Sequence, residues 1–397
     1  MSFSNNFTPV TLKNTNLFKP MQVGDMKLQH RAVMAPMTRM RAANNIPNKK
    51  WAVEYYDQRS QYPGTFIITE GTFVSRRAGG FDDAPGIWSQ EQIDQWIKVI
   101  QKVHENKSFI YVQLWALGRF GSPETQSRDG LTFDAPSAEP YIDEAAKDAA
   151  LKAKNPQHEL TKVELMEYIN DYVHAAKNAI SAGADGVEIM AANGFFLNQF
   201  LDPTANQRTD EYGGSIENRG RFILEIVDAV VSAVGHKRVS IRFSPFGTLG
   251  NMDGTNPIMV AQYGYILGEL EKRGRAGERL SYIHIIDPRV VNPFIPEKDA
   301  EYDLADSNFA YSAWSGNFVR AGNMASHPET VSELVKDNRT LICYGRFWIS
   351  NPDLVSRLEN GLPLNQYDRT TFYADSDQGY VDYPNYQTAL KLGYSKN

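Results

Sequence analysis

The chain has 397 residues, a formal net charge of −6 and one cysteine, Cys343. A lone thiol excludes an internal disulfide scaffold and a cysteine-based metal cluster, and the mildly acidic balance excludes a general attraction to nucleic acid or anionic membranes. The N-terminal residues are polar and no apolar run reaches the length of a membrane span, so we expect a cytoplasmic protein.

Taken in chain order, short apolar segments alternate with longer helical patterns. The short segments are rich in β-branched residues, as expected of parallel strands that are buried on both faces. The predicted strands are Arg31–Met34, Thr65–Thr69, Phe109–Leu114, Gly186–Met190, Val239–Phe243, Tyr282–Ile286, Phe318–Ala321 and Thr340–Tyr344. No linker or repeat of fixed period divides this alternation, which predicts a single domain over residues 1–397.

Between the strands, apolar residues recur at spacings of three and four, which is typical of helices with one buried face. Thr161 and Glu164 have the spacing of a capping box. Asn351-Pro352 resembles an N-cap followed by proline at the first helical position, which predicts a helix there. The other predicted helices are Gln90–His104, Thr161–Ala182, Ile216–Val234 and Ile258–Lys272.

Eight strand–helix units in series predict an α/β fold, a (β/α)8 TIM barrel, and the length suits such a barrel with insertions. A doubly wound sheet ranks lower because no strand is followed by a G-x-G-x-x-G turn. Phe18–Gln29 predicts a short N-terminal hairpin that closes the barrel bottom. Gly118–Gln157, after the third strand, is too long for a plain loop and predicts a lid or subdomain over the barrel mouth.

The ends of the last two predicted strands have the composition of a phosphate site. In this fold, functional residues gather at the C-terminal ends of strands, and the loops after strands seven and eight commonly hold phosphate. Here these loops contain Gly322-Asn323 and Gly345-Arg346, which offer backbone N–H groups and a guanidinium that can fork onto a phosphate. The alternative is that Arg346 is a surface charge and the glycines form simple turns.

Other polar residues lie on the predicted strands themselves. Arg242 lies within an apolar strand, where a buried guanidinium requires an anionic or strongly accepting partner. An electron-rich cofactor and an internal carboxylate both remain open as that partner. Glu188 is expected to be a structural partner of a nearby cation. Gln113 and Trp115 are candidate site residues, although plain barrel lining is the commoner role for such positions.

Several longer motifs are more specific. PMTRMRA, VQLWALGR, RTDEYGGSIENRGRF and YGRFWISNPDLVSRLENGLPLNQYDR occur in this order, and with them the chain resembles the old yellow enzymes over nearly its whole length. The resemblance implies a (β/α)8 barrel with tightly bound FMN. It also implies hydride transfer from NADPH to activated alkenes, typically α,β-unsaturated carbonyl compounds. In such enzymes the flavin carries the hydride chemistry, and the protein supplies orientation and electrostatics.

The resemblance further implies roles for single residues. It implies that the residues in contact with the flavin ring are Pro36, Thr38, Gly71, Gln113 and Arg242. Of these, Thr38 would contact O4 and Arg242 would lie near N1. It implies phosphate contacts for Gly322, Asn323, Gly345 and Arg346. It implies a substrate pocket shaped by Trp115, Phe294 and Tyr373.

The chain departs from the family pattern above the flavin. Met190 and Asn193 stand where the family usually has a His–x–x–Asn pair that donates hydrogen bonds to the substrate oxygen. Phe195 stands where the family has a tyrosine that protonates the alkene. Leu249-Gly250 replaces a usual Phe-Asn, and Cys343 replaces a usual glycine. The expected catalytic set, in which Tyr373 or water can supply the proton, is Met190, Asn193, Phe195 and Tyr373.

Three functions remain open at this stage. We favour an FMN- and NADPH-dependent oxidoreductase with weakened or altered activity on enones. The first alternative is a flavin-dependent alkene isomerase or a reductase of quinones or oxygen, and the second is a non-catalytic flavoprotein that binds a ligand. The expected partner is a small enone or quinone, without nucleic acid or membrane, and a homodimer stays open.

Overall fold

The computed structural model describes residues 2–5, 8–288 and 306–395. Its strands are β1 Met21–Val23, β2 Met26–Leu28, β3 Ala32–Met34, β4 Phe66–Ile68, β5 Thr72–Phe73, β6 Phe109–Trp115, β7 Phe133–Ala135, β8 Gln157–Glu159, β9 Gly186–Ala191, β10 Val239–Phe243, β11 Ile283–Ile286, β12 Phe318–Ala321 and β13 Thr340–Tyr344. Its α-helices are α1 Ala52–Ser60, α2 Gln90–Glu105, α3 Pro123–Arg128, α4 Glu144–Lys152, α5 Lys162–Ser181, α6 Phe196–Leu201, α7 Ile216–Val234, α8 Ile258–Arg273, α9 Phe309–Ala313, α10 Pro328–Leu334, α11 Arg346–Ser350, α12 Leu354–Asn360 and α13 Tyr386–Lys391.

Eight of these strands close into a parallel barrel. β3 pairs with β4, and the ring continues through β6, β9, β10, β11, β12 and β13 back to β3. Every residue of β10 is buried, as a strand requires when helices cover one face and barrel side chains fill the other. The predicted TIM barrel is confirmed, and each predicted strand matches an observed one to within a residue at either end.

A short hairpin packs against the lower end of the barrel. β1 and β2 pair in antiparallel fashion, with Met21 opposite Leu28. Gly24 lies in the turn with φ +54°, and a Cβ added there would lie 2.1 Å from the carbonyl oxygen of Lys237. Because Lys237 lies two residues before the start of β10, the hairpin covers the N-terminal end of that strand, and its turn requires glycine. The predicted closure of the barrel bottom is confirmed.

The capping box predicted at Thr161 and Glu164 is confirmed. At the start of α5, the Glu164 N–H donates to the hydroxyl of Thr161, and the Thr161 N–H donates to the carboxylate of Glu164, which completes the capping box. α7 spans the predicted Ile216–Val234 without change. Within the described ranges, no helix is long and apolar enough to cross a membrane.

The prediction that Asn351 caps a helix is wrong. α12 begins at Leu354. The side chain of Asn351 is buried and donates to the Phe347 carbonyl, while the Asn365 N–H donates to its Oδ1, both at 2.7 Å. Because the amide nitrogen and oxygen of Asn351 are both engaged with backbone outside α12, the side chain does not cap that helix.

Residues 118–157 and their continuation form a small subdomain beside the barrel mouth. It contains α3 and α4, and β7 pairs in parallel with β8. Phe133, Tyr141 and Ala150 form a small hydrophobic core of its own. Phe120, near its start, extends into the cavity described below. The predicted subdomain is therefore confirmed.

Candidate active site

A cavity of about 570 Å³ lies at the C-terminal ends of the barrel strands. The fold brings to it residues that follow strands far apart in sequence, as expected for this architecture. The predicted site residues that line the cavity are Pro36, Thr38, Gln113, Trp115, Met190, Asn193, Phe195, Arg242, Gly322, Asn323, Gly345, Arg346 and Tyr373. Of the remaining two, Phe294 lies outside the described residues, and Gly71 does not line the cavity.

Gly71 instead supports the indole of Trp115. A Cβ added at Gly71 would lie 2.6 Å from Cε3 and 2.8 Å from Cδ2 of Trp115. The ring also stacks on Phe73, with centroids 4.8 Å apart and planes 16° apart. The glycine therefore permits close packing that holds one wall of the cavity, and its expected contact with the flavin stays a prediction.

At the floor of the cavity, the buried guanidinium of Arg242 lies near the carboxylate of Glu188, which already accepts three hydrogen bonds. Glu188 on β9 accepts hydrogen bonds from Gln113 Nε2 at 2.8 Å, Tyr282 OH at 2.9 Å and His284 Nδ1 at 2.9 Å. Burial opposes its ionisation, but His284 and Arg242 outweigh burial and lower the pKa of Glu188. The guanidinium of Arg242 on β10 makes no hydrogen bond to another described residue, and its Nε is buried. Glu188 is thus the neighbouring charge, while the hydrogen-bonding capacity of Arg242 remains available to a ligand.

Cys343 on β13 lines the same floor. Burial raises the pKa of its thiol, although Arg242 acts in the opposite direction. Because the thiolate is the reactive form of cysteine, this residue acts as a small neutral side chain and not as a nucleophile.

The donor set fits an aromatic, anionic cofactor such as FMN. Arg242 lines the cavity with a guanidinium whose buried Nε has no hydrogen-bond partner among the described residues. At Gly345 an added Cβ would make only ordinary van der Waals contacts, at 3.8 Å from Ala35 and Met37, and its absence leaves the backbone accessible to a ligand. Gly322 has φ +141°, and a Cβ there would lie 2.8 Å from the Cβ of Asp287, so only glycine fits. With Arg346 at the same end of the cavity, backbone N–H groups and a guanidinium can converge on a phosphate.

A tight turn after β9 brings the next group of residues to the cavity. Asn193 has φ +57°, and its N–H donates to Ser244 Oγ at 2.7 Å. Gly194 follows with φ +74°, and its N–H donates to Asn198 Oδ1 at 2.9 Å. These bonds hold a left-handed turn that places Asn193 and Phe195 beside Met190, the last-but-one residue of β9.

The surroundings of Phe195 are aromatic. Its ring meets Trp115 edge-on, with centroids 4.9 Å apart and planes at 89°. It also packs on Phe120, with centroids 5.1 Å apart and planes at 55°. Together with Met190, these rings form an apolar wall in which Asn193 contributes the amide.

Two buried arginines that sequence analysis missed hold the segment that carries Tyr373. Arg39 donates from Nε to the Phe372 carbonyl at 3.1 Å. Arg41 donates from Nη2 to the Thr371 carbonyl at 2.9 Å and from Nε to the Ser376 carbonyl at 2.7 Å. Tyr373 itself is 50% exposed, and burial of its remainder raises the pKa of its hydroxyl. The arginines in PMTRMRA, next to Thr38, were the available signal, but their partners lie at the other end of the chain.

A buried carboxyl group supports this arrangement from below. Glu70 is 7% exposed and accepts from the backbone N–H of Arg39 at 3.2 Å. Burial raises the pKa of Glu70 to about 7, against the lowering effects of Arg39 and Arg41. This group therefore titrates near neutral pH.

Comparison with known proteins assigns the family. The family model described as NADH:flavin oxidoreductase / NADH oxidase matches residues 16–365. The chain belongs to this family. The relative named Enoate reductase 1 from Kluyveromyces lactis is 56% identical over 399 residues, covering 100% of both chains. A protein named Probable NADPH dehydrogenase from Candida albicans is 41% identical over 378 residues, covering 94% of this chain and 91% of the relative. The crystal structure of old yellow enzyme from Pichia sp. AKU4542 has a TM-score of 0.88 and 40% identity, covering 94% of this chain and 95% of its own.

Membership of the NADH:flavin oxidoreductase / NADH oxidase family confirms the resemblance to old yellow enzymes. The chain is an enzyme, an oxidoreductase of the NADPH dehydrogenase and ene-reductase type that acts on small molecules. FMN and NADPH are confirmed as cofactors at the level of the family.

Proposed function

We propose that this protein transfers hydride from NADPH to α,β-unsaturated carbonyl compounds, with alkene reduction weakened by two replacements in its catalytic set. FMN, when bound, supplies the hydride chemistry. The observation that carries the proposal is one cavity with two features. The guanidinium of Arg242 has no hydrogen-bond partner among the described residues, and the wall formed by Met190, Trp115, Phe120 and Phe195 is apolar apart from the amide of Asn193. An electron-rich ring suits that floor, and a substrate oxygen suits that amide.

The flavin-binding part of the site is retained. Arg242 would compensate negative charge near N1, while Gln113 would bind the pyrimidine edge. Thr38 would donate to O4, Pro36 would place backbone against the ring, and Gly71 would act through Trp115 or through its own backbone. The residues that would hold the phosphate are Gly322, Asn323, Gly345 and Arg346.

Met190 removes one of two expected donors to the substrate oxygen. In the family the pair is His–x–x–Asn, and here Asn193 alone retains a polar side chain. A carbonyl that develops enolate character requires donors aimed at its oxygen, and loss of one such donor typically costs about 10²–10³ in rate. Methionine fills the vacated space with a flexible apolar chain, which favours neutral substrates over phenolates.

Phe195 has no proton to give to the second alkene carbon. Loss of a positioned general acid typically costs about 10²–10⁴ in rate. Tyr373 is the alternative donor that we expect to act, because it lines the cavity and is half exposed, so water can reprotonate it. Its pKa is raised, so it remains protonated at neutral pH. Trp115 and Phe294 would then shape the substrate pocket.

Stopped-flow measurement of the two half-reactions tests the proposal. The FMN-loaded protein is mixed anaerobically with NADPH, and the fully reduced protein is then mixed with 2-cyclohexenone. We expect NADPH to bleach the flavin and the enone to restore its colour more slowly than in Phe195→Tyr. A flavin that NADPH reduces but no enone reoxidises would refute alkene reduction.

Alkene isomerisation is the second candidate, and the aromatic surroundings of Phe195 favour it. A substrate that receives hydride but no proton can lose the hydride again, so that its double bond returns with another geometry or position. Incubation of a Z-enone with a catalytic amount of NADPH distinguishes the two. Isomerisation converts many equivalents of enone per NADPH, whereas reduction consumes one NADPH per enone. The homodimer stays a prediction that sedimentation can test.

A further inference from the structure

Phe120 lies in the cavity wall although no sequence motif identified it. Its ring lines the cavity and packs against Phe195, with centroids 5.1 Å apart. Phe195 also contacts Trp115, with centroids 4.9 Å apart. Phe195 is therefore in contact with two aromatic rings, and Phe120 adds its own ring to the cavity wall beside it.

A buried guanidinium fixes the backbone that carries Phe120. Arg119 is 1% exposed and donates from Nη1 to the Pro140 carbonyl at 3.0 Å and from Nη2 to the Gly250 carbonyl at 2.9 Å. The first bond lies within the subdomain, and the second joins it to the loop after β10. Because a buried charged donor is costly to leave unsatisfied, Arg119 locks Phe120 onto that loop.

The ring of Phe120 occupies the space of two missing side chains. A Cβ added at Gly250 would lie 2.4 Å from Cε2 and 2.5 Å from Cζ of Phe120. A Cβ added at Gly194 would lie 3.1 Å from the same Cε2 and 2.3 Å from the Leu249 carbonyl oxygen. Any side chain at Gly250 must therefore displace Phe120. This gives a physical reason for the Leu249-Gly250 departure from the family pattern: the neighbouring ring replaces the side chain.

We propose that Phe120 is a specificity-determining residue that limits the size of apolar substituent accepted beside Phe195. The proposal rests on the proposed function, in which residue 195 lies on the side of the alkene carbon that is protonated, the α carbon. The wall formed by Trp115, Phe120, Phe195 and Leu249 carries no charged group, so a carboxylate on that carbon would be desolvated without a partner. The preferred substrates are enones whose α substituent is small and apolar.

Ligand titration of the oxidised holoenzyme tests this inference. The probes are 2-cyclohexenone and its 2-phenyl derivative, and the perturbation of flavin absorbance reports binding without turnover. In Phe120→Ala we expect the ratio of dissociation constants to shift at least about 10-fold in favour of the phenyl compound, because even one methylene of pocket space changes selectivity about 10- to 200-fold. Phe120→Leu should give a smaller shift in the same direction. The matched control is Phe133→Ala, which removes the same side chain from the same subdomain's core and should leave the ratio unchanged.

The contact between Phe120 and Gly250 gives a second readout. Gly250→Asn alone should lower the melting temperature and weaken both probes, whereas in the Phe120→Ala background it should do so much less. Equal effects of Phe120→Ala on the two probes, or an equal cost of Gly250→Asn in both backgrounds, would overturn the inference. Because only oxidised flavin is needed, these results stay readable even if no enone reoxidises the reduced protein.

Discussion

Replacement of Phe195 by tyrosine tests the proposal that this position lacks a proton donor for the alkene half-reaction. Hydride uptake from NADPH requires no acid at this side chain, whereas net alkene reduction requires a proton on the α carbon. Phe195→Tyr should therefore raise the rate of enone-dependent flavin reoxidation by up to about 100-fold if proton delivery limits it. Anaerobic flavin reduction by NADPH should change little.

The structure sets the expected size of this gain. A 100-fold increase corresponds to about 2.7 kcal/mol of barrier. The new hydroxyl enters a wall whose rings lie 4.9 Å and 5.1 Å from that of Phe195. If it finds no partner, burying it costs about 1–3 kcal/mol, so we expect a lowered melting temperature with the gain in rate. The ring reaches the cavity, which lets substrate or water satisfy the hydroxyl and recover part of that cost.

Stopped-flow spectroscopy of each half-reaction gives the decisive measurement. The matched control is Phe120→Tyr, which adds a hydroxyl to the neighbouring ring and should not accelerate reoxidation. Adding Met190→His to Phe195→Tyr should improve both halves, because nicotinamide and substrate are expected to use the same donors, although the effects need not add. An unchanged rate of reoxidation in Phe195→Tyr would refute the reasoning and assign proton delivery to another group, with Tyr373 first.

Three further predictions concern other parts of the site. Met190→His should strengthen phenol binding at neutral pH, measured by the long-wavelength charge-transfer band, and a strong band from micromolar phenol in the unaltered protein would contradict the role assigned to Met190. Arg346→Ala should loosen FMN, measured by its release on gel filtration, because a charge-assisted phosphate contact is lost; retention equal to that of the unaltered protein would contradict the phosphate site. The pKa of Glu70 is raised from 4.5 to about 7 in the folded protein. As pH rises, this carboxyl therefore ionises in the unfolded chain before it does so in the folded one, and the free energy of unfolding should fall between about pH 4.5 and 7. A pKa shift of this size corresponds to about 3 kcal/mol in the free energy of unfolding. Glu70→Gln should remove this contribution from the pH dependence of urea unfolding, and a variant with the same pH dependence as the unaltered protein would refute the shift.

The barrel, and most of the residues at the C-terminal ends of its strands that form the site, were predictable from local patterns. Segments such as Val239–Phe243 are short and apolar and are flanked by helical periodicity. A parallel strand that is buried on both faces has this pattern, because nearly all of its side chains must be apolar. Once eight such units are recognised, the fold itself dictates that Arg242, Gly322 and Gly345 converge at one end. The motifs then identified the family and predicted that Met190 and Phe195 belong to the site, and both line the cavity.

Contacts between distant segments were beyond such reasoning. A sequence pattern indicates that Asn351 can cap a helix, but only packing decides that its amide bonds to Asn365 instead. Arg39 in PMTRMRA could have had many partners, and the fold selects the Phe372 carbonyl, 333 residues away. Neither choice is encoded in a local period.

The sequence by itself therefore determined the barrel, the family and most of the predicted residues that reach the cavity, because periodicity and motif are properties of neighbouring residues. Only the tertiary structure decided how the wall is completed. Phe120 and Gly250 are far apart in the chain. The ring of Phe120 occupies the volume that a side chain at position 250 would need, which is why position 250 has none. Close packing allows that volume to be filled once, and which residue fills it depends on the three-dimensional arrangement.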